Sequence, residues 1–225
     1  MRAEPLFQID HIILGAPRLE EGVQSFRELA GVELVFGGEH PAYGTHNALA
    51  SLGDGAYLEV IAPRPGAEVQ GRWRVLRGLT SVAPIGWAVR VTDIQQAVAK
   101  LRDAGFGTTS LAPGSRAQPD GAMLRWTTAD IATPHMPFAP FLIEWSEAGL
   151  HPSATSPQGC RLDSVKILDP NPDPVARLIQ AMDLNIQVEA GPARRMVVTF
   201  ECLGRQVAFS GDDRTPPPEL GSQQP

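Results

Sequence analysis

Three stretches of the chain repeat one pattern of apolar and polar positions. Residues 9–36, IDHIILGAPRLEEGVQSFRELAGVELVF, open on a strand-like run from Ile12 to Leu14 and break at Gly-Ala-Pro. They continue as an amphipathic helix with Leu19, Val23, Phe26 and Leu29 at spacings of four and three. Gly31 is placed to stop that helix, and VELVF reads as the next strand. Residues 85–106, IGWAVRVTDIQQAVAKLRDAGF, overlay the first stretch without a gap. Ile94, Val98 and Leu101 fall on Leu19, Val23 and Phe26, Asp93 is the expected N-cap, and Gly105 the expected stop. Residues 162–188 give the outline a third time, with a helix carrying Val175, Leu178, Ile179 and Met182.

Each opening is followed by further strands. In the first stretch these are HNALASL (46–52) and AYLEVIA (56–62), joined by Gly53-Asp54-Gly55, a hairpin turn signal. AMLRWTTA (122–129) and PFLIEW (140–145) follow the second, RMVVTFEC (195–202) and RQVAFS (205–210) the third. The expected fold class is therefore α+β, built from repeated βαβββ units. Residues 1–150 would hold two paired units (7–62 and 84–146), residues 151–211 a third, and residues 212–225 a polar, Pro-rich disordered tail.

Composition narrows the function classes. The 225 residues carry a formal charge of −6, the wrong sign for a protein devoted to gripping nucleic acid. An apolar content of 43% supports a real core, while 22 Gly and 21 Pro point to many turns and short elements. No run of about 18 apolar residues exists to cross a membrane, and the N-terminus lacks the apolar core of a signal peptide. Cys160 and Cys202 are expected to be reduced thiols in a cytoplasmic protein, a single disulfide being the alternative. The Arg-rich piece GRWRVLRG (71–78) reads as a solvated connection or a subunit contact.

At IDHIILGAPRLEEGV, FGGEHPAYGTHNALASLGDGAYLEVIAP, IGWAVRVTDI and PFLIEWSEAGLHPS, the chain resembles the glyoxalase-like proteins of the vicinal oxygen chelate superfamily. The resemblance spans residues 7–210. It implies paired βαβββ units whose sheets curl around a cleft, where side chains from the first and last strands of the units often hold a divalent metal.

Against that frame, three residues stand out. His11 lies in the first strand, with alternation placing Ile9, His11 and Ile13 on one face. Glu59 and Glu144 sit in the middle of apolar strands, where an unpaired carboxylate costs several kcal/mol unless it is neutralised. A divalent cation (Zn, Mn, Fe, Ni or Co) held by His11, Glu59 and Glu144 would remove that cost, and either glutamate would serve as proton shuttle. The ordinary alternative is a hydrogen-bonded histidine and glutamates meeting Arg90 or Arg125. The position overlaid on His11 in the second unit is Gly86, which cannot ligate. His40, in a Gly/Pro loop, is a candidate fourth ligand or substrate contact. Asn47 is a cleft residue by resemblance, and Trp126 a pocket floor. Two functions follow: a metal-dependent lyase, isomerase or dioxygenase acting through a chelated oxyanion or enolate, or a metal-free protein that binds or sequesters a small molecule. A small-molecule partner is expected, with no nucleic acid or membrane, and a homodimer is a further possibility.

Overall fold

The computed structural model describes residues 5–117, 121, 123–132, 136–146 and 149–212. His135 and residues 213–225 of the expected tail lie outside the described residues. The first unit runs β1 (Phe7–Gly15), α1 (Leu19–Ala30), β2 (Val35–His40), β3 (Thr45–Gly53) and β4 (Ala56–Pro63). The second runs β5 (Ala83–Val91), α2 (Ile94–Asp103), β6 (Ala112–Ala117), β7 (Met123–Asp130) and β8 (Phe141–Trp145). After a short helix α3 (Pro152–Thr155) come β9 (Cys160–Asp169), α4 (Asp173–Met182), β10 (Gln187–Ala190), β11 (Arg195–Cys202) and β12 (Arg205–Asp212).

Local chemistry accounts for the punctuation. The Asp93 side chain accepts the Gln96 N–H at 2.9 Å, capping α2. Gly31, at φ 71°, ends α1 in the left-handed region that an L side chain adopts at a cost. Asp54 and Gly55 both have positive φ, as a two-residue hairpin that matches strand twist requires.

The first two units form one eight-stranded sheet, ordered β2-β3-β4-β1-β5-β8-β7-β6. Strands β1 and β5 are antiparallel at its centre, and each pairs in parallel with the last strand of its own unit. The sheet curves until its two edges meet, where the Arg116 guanidinium donates to the Gly37 carbonyl. One face of the curve is thus a cleft. The other carries Ile12, Leu14, Leu58 and Trp87 into the main core, against α1, α2, α4 and the second sheet.

The third unit has the order of elements expected but a different wiring. Its sheet runs β10-β9-β11-β12, so its first strand is flanked by the second and third rather than lying beside the fourth. Its inner face packs on α1, where Phe26 stacks on Phe209 and meets Phe200 edge-on. Two further expectations are corrected. Leu29 is 50% exposed, and α1 buries Leu19 and Phe26 with Gly22 and Ala30, the last two small enough to let it approach the sheet. The cysteines are not free thiols: Cys160 and Cys202 are directly opposed on β9 and β11 and form a disulfide. Among the described residues no helix is long and apolar enough to cross a membrane.

The bridge spans 42 residues. Chain-entropy reasoning then gives it about 3–4 kcal/mol of stabilisation. We expect the denaturation midpoint to fall by that equivalent in the Cys160→Ala/Cys202→Ala variant, with reductant shifting the wild type alike. Equal midpoints with and without reductant would show that the bridge contributes nothing.

Candidate active site

The cleft is organised by a bulge in β1. Ile9 pairs with Val89 and His11 with Ala88, so Asp10 is an extra residue on its strand. The bulge breaks the alternation read from the sequence. Ile9 turns to the main core, while His11 and Ile13 face the cleft. Asp10, which strict alternation would turn away from His11, instead meets it.

Asp10 is fully buried and takes three ring N–H groups. His11 Nδ1 lies 2.7 Å from Oδ2, and Trp145 Nε1 and His151 Nε2 lie 3.1 and 3.0 Å from Oδ1. Burial alone would raise its pKa, but the hydrogen bonds and charges of His11 and His151 outweigh it and hold the carboxyl at about 2. An ionised carboxylate only accepts, so His11 Nδ1 carries a proton and Nε2 faces the cleft. There it stands 3.6 Å from Glu59 Oε2. The other Glu59 oxygen accepts the Asn47 amide N–H at 2.5 Å.

These groups floor a chamber of about 70 Å³ whose walls include His40, Tyr57, Arg116, Trp126 and Phe141. Desolvation by burial, then the charges of Asp10 and Glu59, raises the Tyr57 phenol well above its ordinary value, so it remains an O–H donor. Burial lowers His40, whose Nδ1 lies 3.1 Å from the Thr45 hydroxyl. Outside the chamber, past Tyr43, Trp126 and Trp145, opens a mouth of about 610 Å³.

Of the expected site residues, His11, Glu59, Asn47, His40 and Trp126 meet in this chamber. Glu144 does not join them in the chamber but lines the mouth outside it. Its Oε1 accepts the Ile94 N–H at 3.2 Å, so it supports the start of α2 while its neighbours Ile143 and Trp145 line the chamber. The strand register explains why. The two-fold relation that equates His11 with Gly86 also equates Ile13 with Ala88, because His11 pairs with Ala88 and Ile13 with Gly86. Glu59 pairs with Ile13, and the residue paired with Ala88 is Phe141. The second half of the site therefore presents Gly86 and Phe141 where the first presents His11 and Glu59.

This donor set does not fit a protein-held divalent metal. The chamber holds the imidazoles of His11 and His40 and the Glu59 carboxylate, but His40 does not close on the other two as a third ligand, which leaves the set short of the three protein ligands that open metal sites use. Among the described residues no group of three or more His, Cys, Asp or Glu side chains is placed to hold an ion. The Asn47 amide oxygen is buried without a hydrogen-bond partner among the described residues, yet it packs on Gly37, where an added Cβ would stand 2.5 Å from it. The positive charge beside Glu59 comes instead from Arg116.

Sequence reasoning missed Asp10, Tyr57, Arg116 and the 3-10 helix Gly71–Gly78. Read from the sequence as a solvated connection or a subunit contact, the last turns Trp73 into the chamber and lays the Arg72 guanidinium 4.2 Å over the Phe141 ring. Asp10 was signalled only by being a charged residue beside His11 in an apolar strand.

Comparison with curated proteins found no match. Among solved structures, a hypothetical protein from Staphylococcus aureus is similar over 91% of this chain and 85% of its own, at 16% identity and a TM-score of 0.65. The methylmalonyl-CoA epimerase of Mycobacterium tuberculosis aligns over 65% of this chain and 93% of its own, at 19% identity and a TM-score of 0.45. A family model described as glyoxalase-like domain matches residues 9–182. With its repeated βαβββ units around a cleft, the chain belongs to the glyoxalase-like domain family, of the vicinal oxygen chelate fold.

Proposed function

We propose that the chain is a small-molecule enzyme that moves a proton in the cleft of the paired units, with Glu59 and His11 as the exchanging groups. The observation that carries this reading is the line Asp10–His11–Glu59. A buried aspartate holds one imidazole nitrogen at 2.7 Å, and the other nitrogen faces a carboxylate at 3.6 Å inside a chamber. Purely structural histidines do not need a second carboxylate on the solvent side, whereas general acid–base catalysis needs a base so oriented. Glu59 would take a proton from carbon beside a carbonyl, His11 Nε2 would relay it, and the Tyr57 hydroxyl and Arg116 would steady the enolate oxygen. Return of the proton to the same or the neighbouring carbon completes an epimerisation or isomerisation.

The chamber volumes bear on the substrate. About 70 Å³ accepts a head no larger than a few atoms. The mouth has the size of an ordinary ligand pocket, and its tryptophans suit a flat apolar body. A metal-dependent lyase or dioxygenase is not adopted because the donor set is too small.

Phenylpyruvate combines an enolisable C–H with a planar ring and serves as the probe. In D₂O the wild type is expected to exchange its benzylic protons above the buffer rate, read by proton NMR. Glu59→Gln should lose about 10²-fold or more of that excess, and a chelator should leave the wild-type rate unchanged. Binding of phenylpyruvate and related oxo acids, seen as quenching of tryptophan fluorescence, with no exchange of any of them would overturn the reading in favour of a sequestering protein. Loss of exchange on chelation would restore the metal.

A further inference from the structure

Beyond the paired units, the connector to the third unit sends one side chain back to Asp10, behind the chamber residues Tyr57 and Trp145. We infer that His151 is the positioning residue that holds Asp10 and so keeps a proton on His11 Nδ1, leaving Nε2 as the exchanging atom. This rests on the reading of His11 as a proton-transfer group.

The direction of each hydrogen bond follows from the partners. His151 Nδ1 lies 3.3 Å from the Ser153 backbone N–H and 2.8 Å from the Ser153 hydroxyl; the backbone N–H can only donate and the hydroxyl can donate with it, so that nitrogen carries the lone pair. The proton of a neutral His151 therefore sits on Nε2, which donates to Asp10 Oδ1 at 3.0 Å. With Oδ1 held by His151 and Trp145, the carboxylate plane turns Oδ2 towards His11. Four groups thus line up: Ser153 N–H, His151, Asp10 and His11.

The ring of His151 is held on two sides. Tyr57 meets it edge-on at 5.5 Å between centroids and Trp145 at 5.2 Å. The connector is itself fastened, since the Ser51 N–H donates to the Pro157 carbonyl at 2.7 Å and the Leu203 N–H to the Gly159 carbonyl at 2.9 Å. A surface turn needs none of this apparatus. His151 does cap α3 through Ser153, but capping uses only Nδ1 and leaves the bond to Asp10 unexplained.

The test reads the histidine rings directly and needs no substrate. Protein of the full chain labelled with ¹⁵N at histidine is examined by long-range proton–nitrogen correlation near neutral pH. In the wild type His11 is expected to carry its proton on Nδ1, with slow exchange to solvent, and His151 on Nε2. In His151→Leu the exchange of the His11 Nδ1 proton should quicken by about ten-fold or more, the effect of losing one hydrogen bond to a charged group. His151→Gln keeps an N–H donor at a similar reach and should restore slow exchange. A wild type whose neutral His11 carries its proton on Nε2 would overturn the inference without reference to any variant. So would His151→Leu with unchanged exchange, or His151→Gln behaving as His151→Leu. Should the ring protons behave as expected while phenylpyruvate shows no exchange, His151 stands as the positioning residue and the proton-transfer reading falls alone.

Discussion

Asp10→Asn is expected to lower the free energy of unfolding by about 2.5 kcal/mol at neutral pH and by almost nothing near pH 2. The carboxyl has an ordinary value of 3.8 in the unfolded chain and about 2 in the folded one, because ring N–H groups of His11 and His151 favour its charged form. A folded pKa that is depressed adds stability above the unfolded value, and that stability is lost as pH falls from about 4 towards 2. Asparagine is neutral at every pH and so resembles the protonated acid. It can still accept two bonds at its oxygen, but its NH₂ would face the His11 Nδ1 proton, and the imidazole must then move that proton to Nε2. Wild type and variant should therefore converge as urea denaturation is repeated at successively lower pH. A stability difference that stays constant from pH 7 to pH 3 would show that Asp10 acts through shape alone.

The architecture was legible because it rests on local periodicity and turn chemistry. Val175, Leu178, Ile179 and Met182 mark the buried face of α4 at helical spacing, and all four are buried. Gly53-Asp54-Gly55 announces its hairpin, and Asp93 its helix. The repeat itself announces two like units, which meet in one eight-stranded sheet. What escaped depends on register. One extra residue in β1 reverses the face of every position before it, so Ile9 leaves the cleft and Asp10 enters the company of His11. A single step of parity likewise separates Glu144 from Phe141. Both lie in the run FLIEW, but only the strand pairing reveals that Phe141 occupies the place corresponding to Glu59. Arg116 reaches the cleft through edge closure and His151 reaches Asp10 from a connector, which no spacing along the chain encodes. The pairing of Cys160 with Cys202 was equally hidden, since it follows from β9 and β11 being neighbours in a sheet wired unlike the other two units.

That register also specifies how to build the half of the site that this chain lacks. Gly86→His combined with Phe141→Glu would place an imidazole and a carboxylate at the positions related by the internal two-fold to His11 and Glu59. Space permits the first change, since among the described residues a Cβ on Gly86 meets no atom within 4 Å. The second puts a carboxylate where the Phe141 ring now lies 4.2 Å from the Arg72 guanidinium, a favourable charge contact until a metal arrives. Two ligands would become four, the number that closes a tetrahedral zinc site or leaves open positions on an octahedral ion. If each added ligand is worth no less than an outer-shell partner, about 10–100-fold, the double variant should bind Zn²⁺ or Ni²⁺ about 10²–10⁴-fold more tightly than the wild type. Calorimetric titration of both proteins, purified without a histidine tag, would measure the ratio. Adding Glu59→Gln to the double variant should remove most of the gain, which ties the ion to this chamber rather than to surface histidines. A wild type that already binds as tightly as the double variant would refute the view that His11 and Glu59 alone are too few, and would move the proton-transfer step back onto a metal.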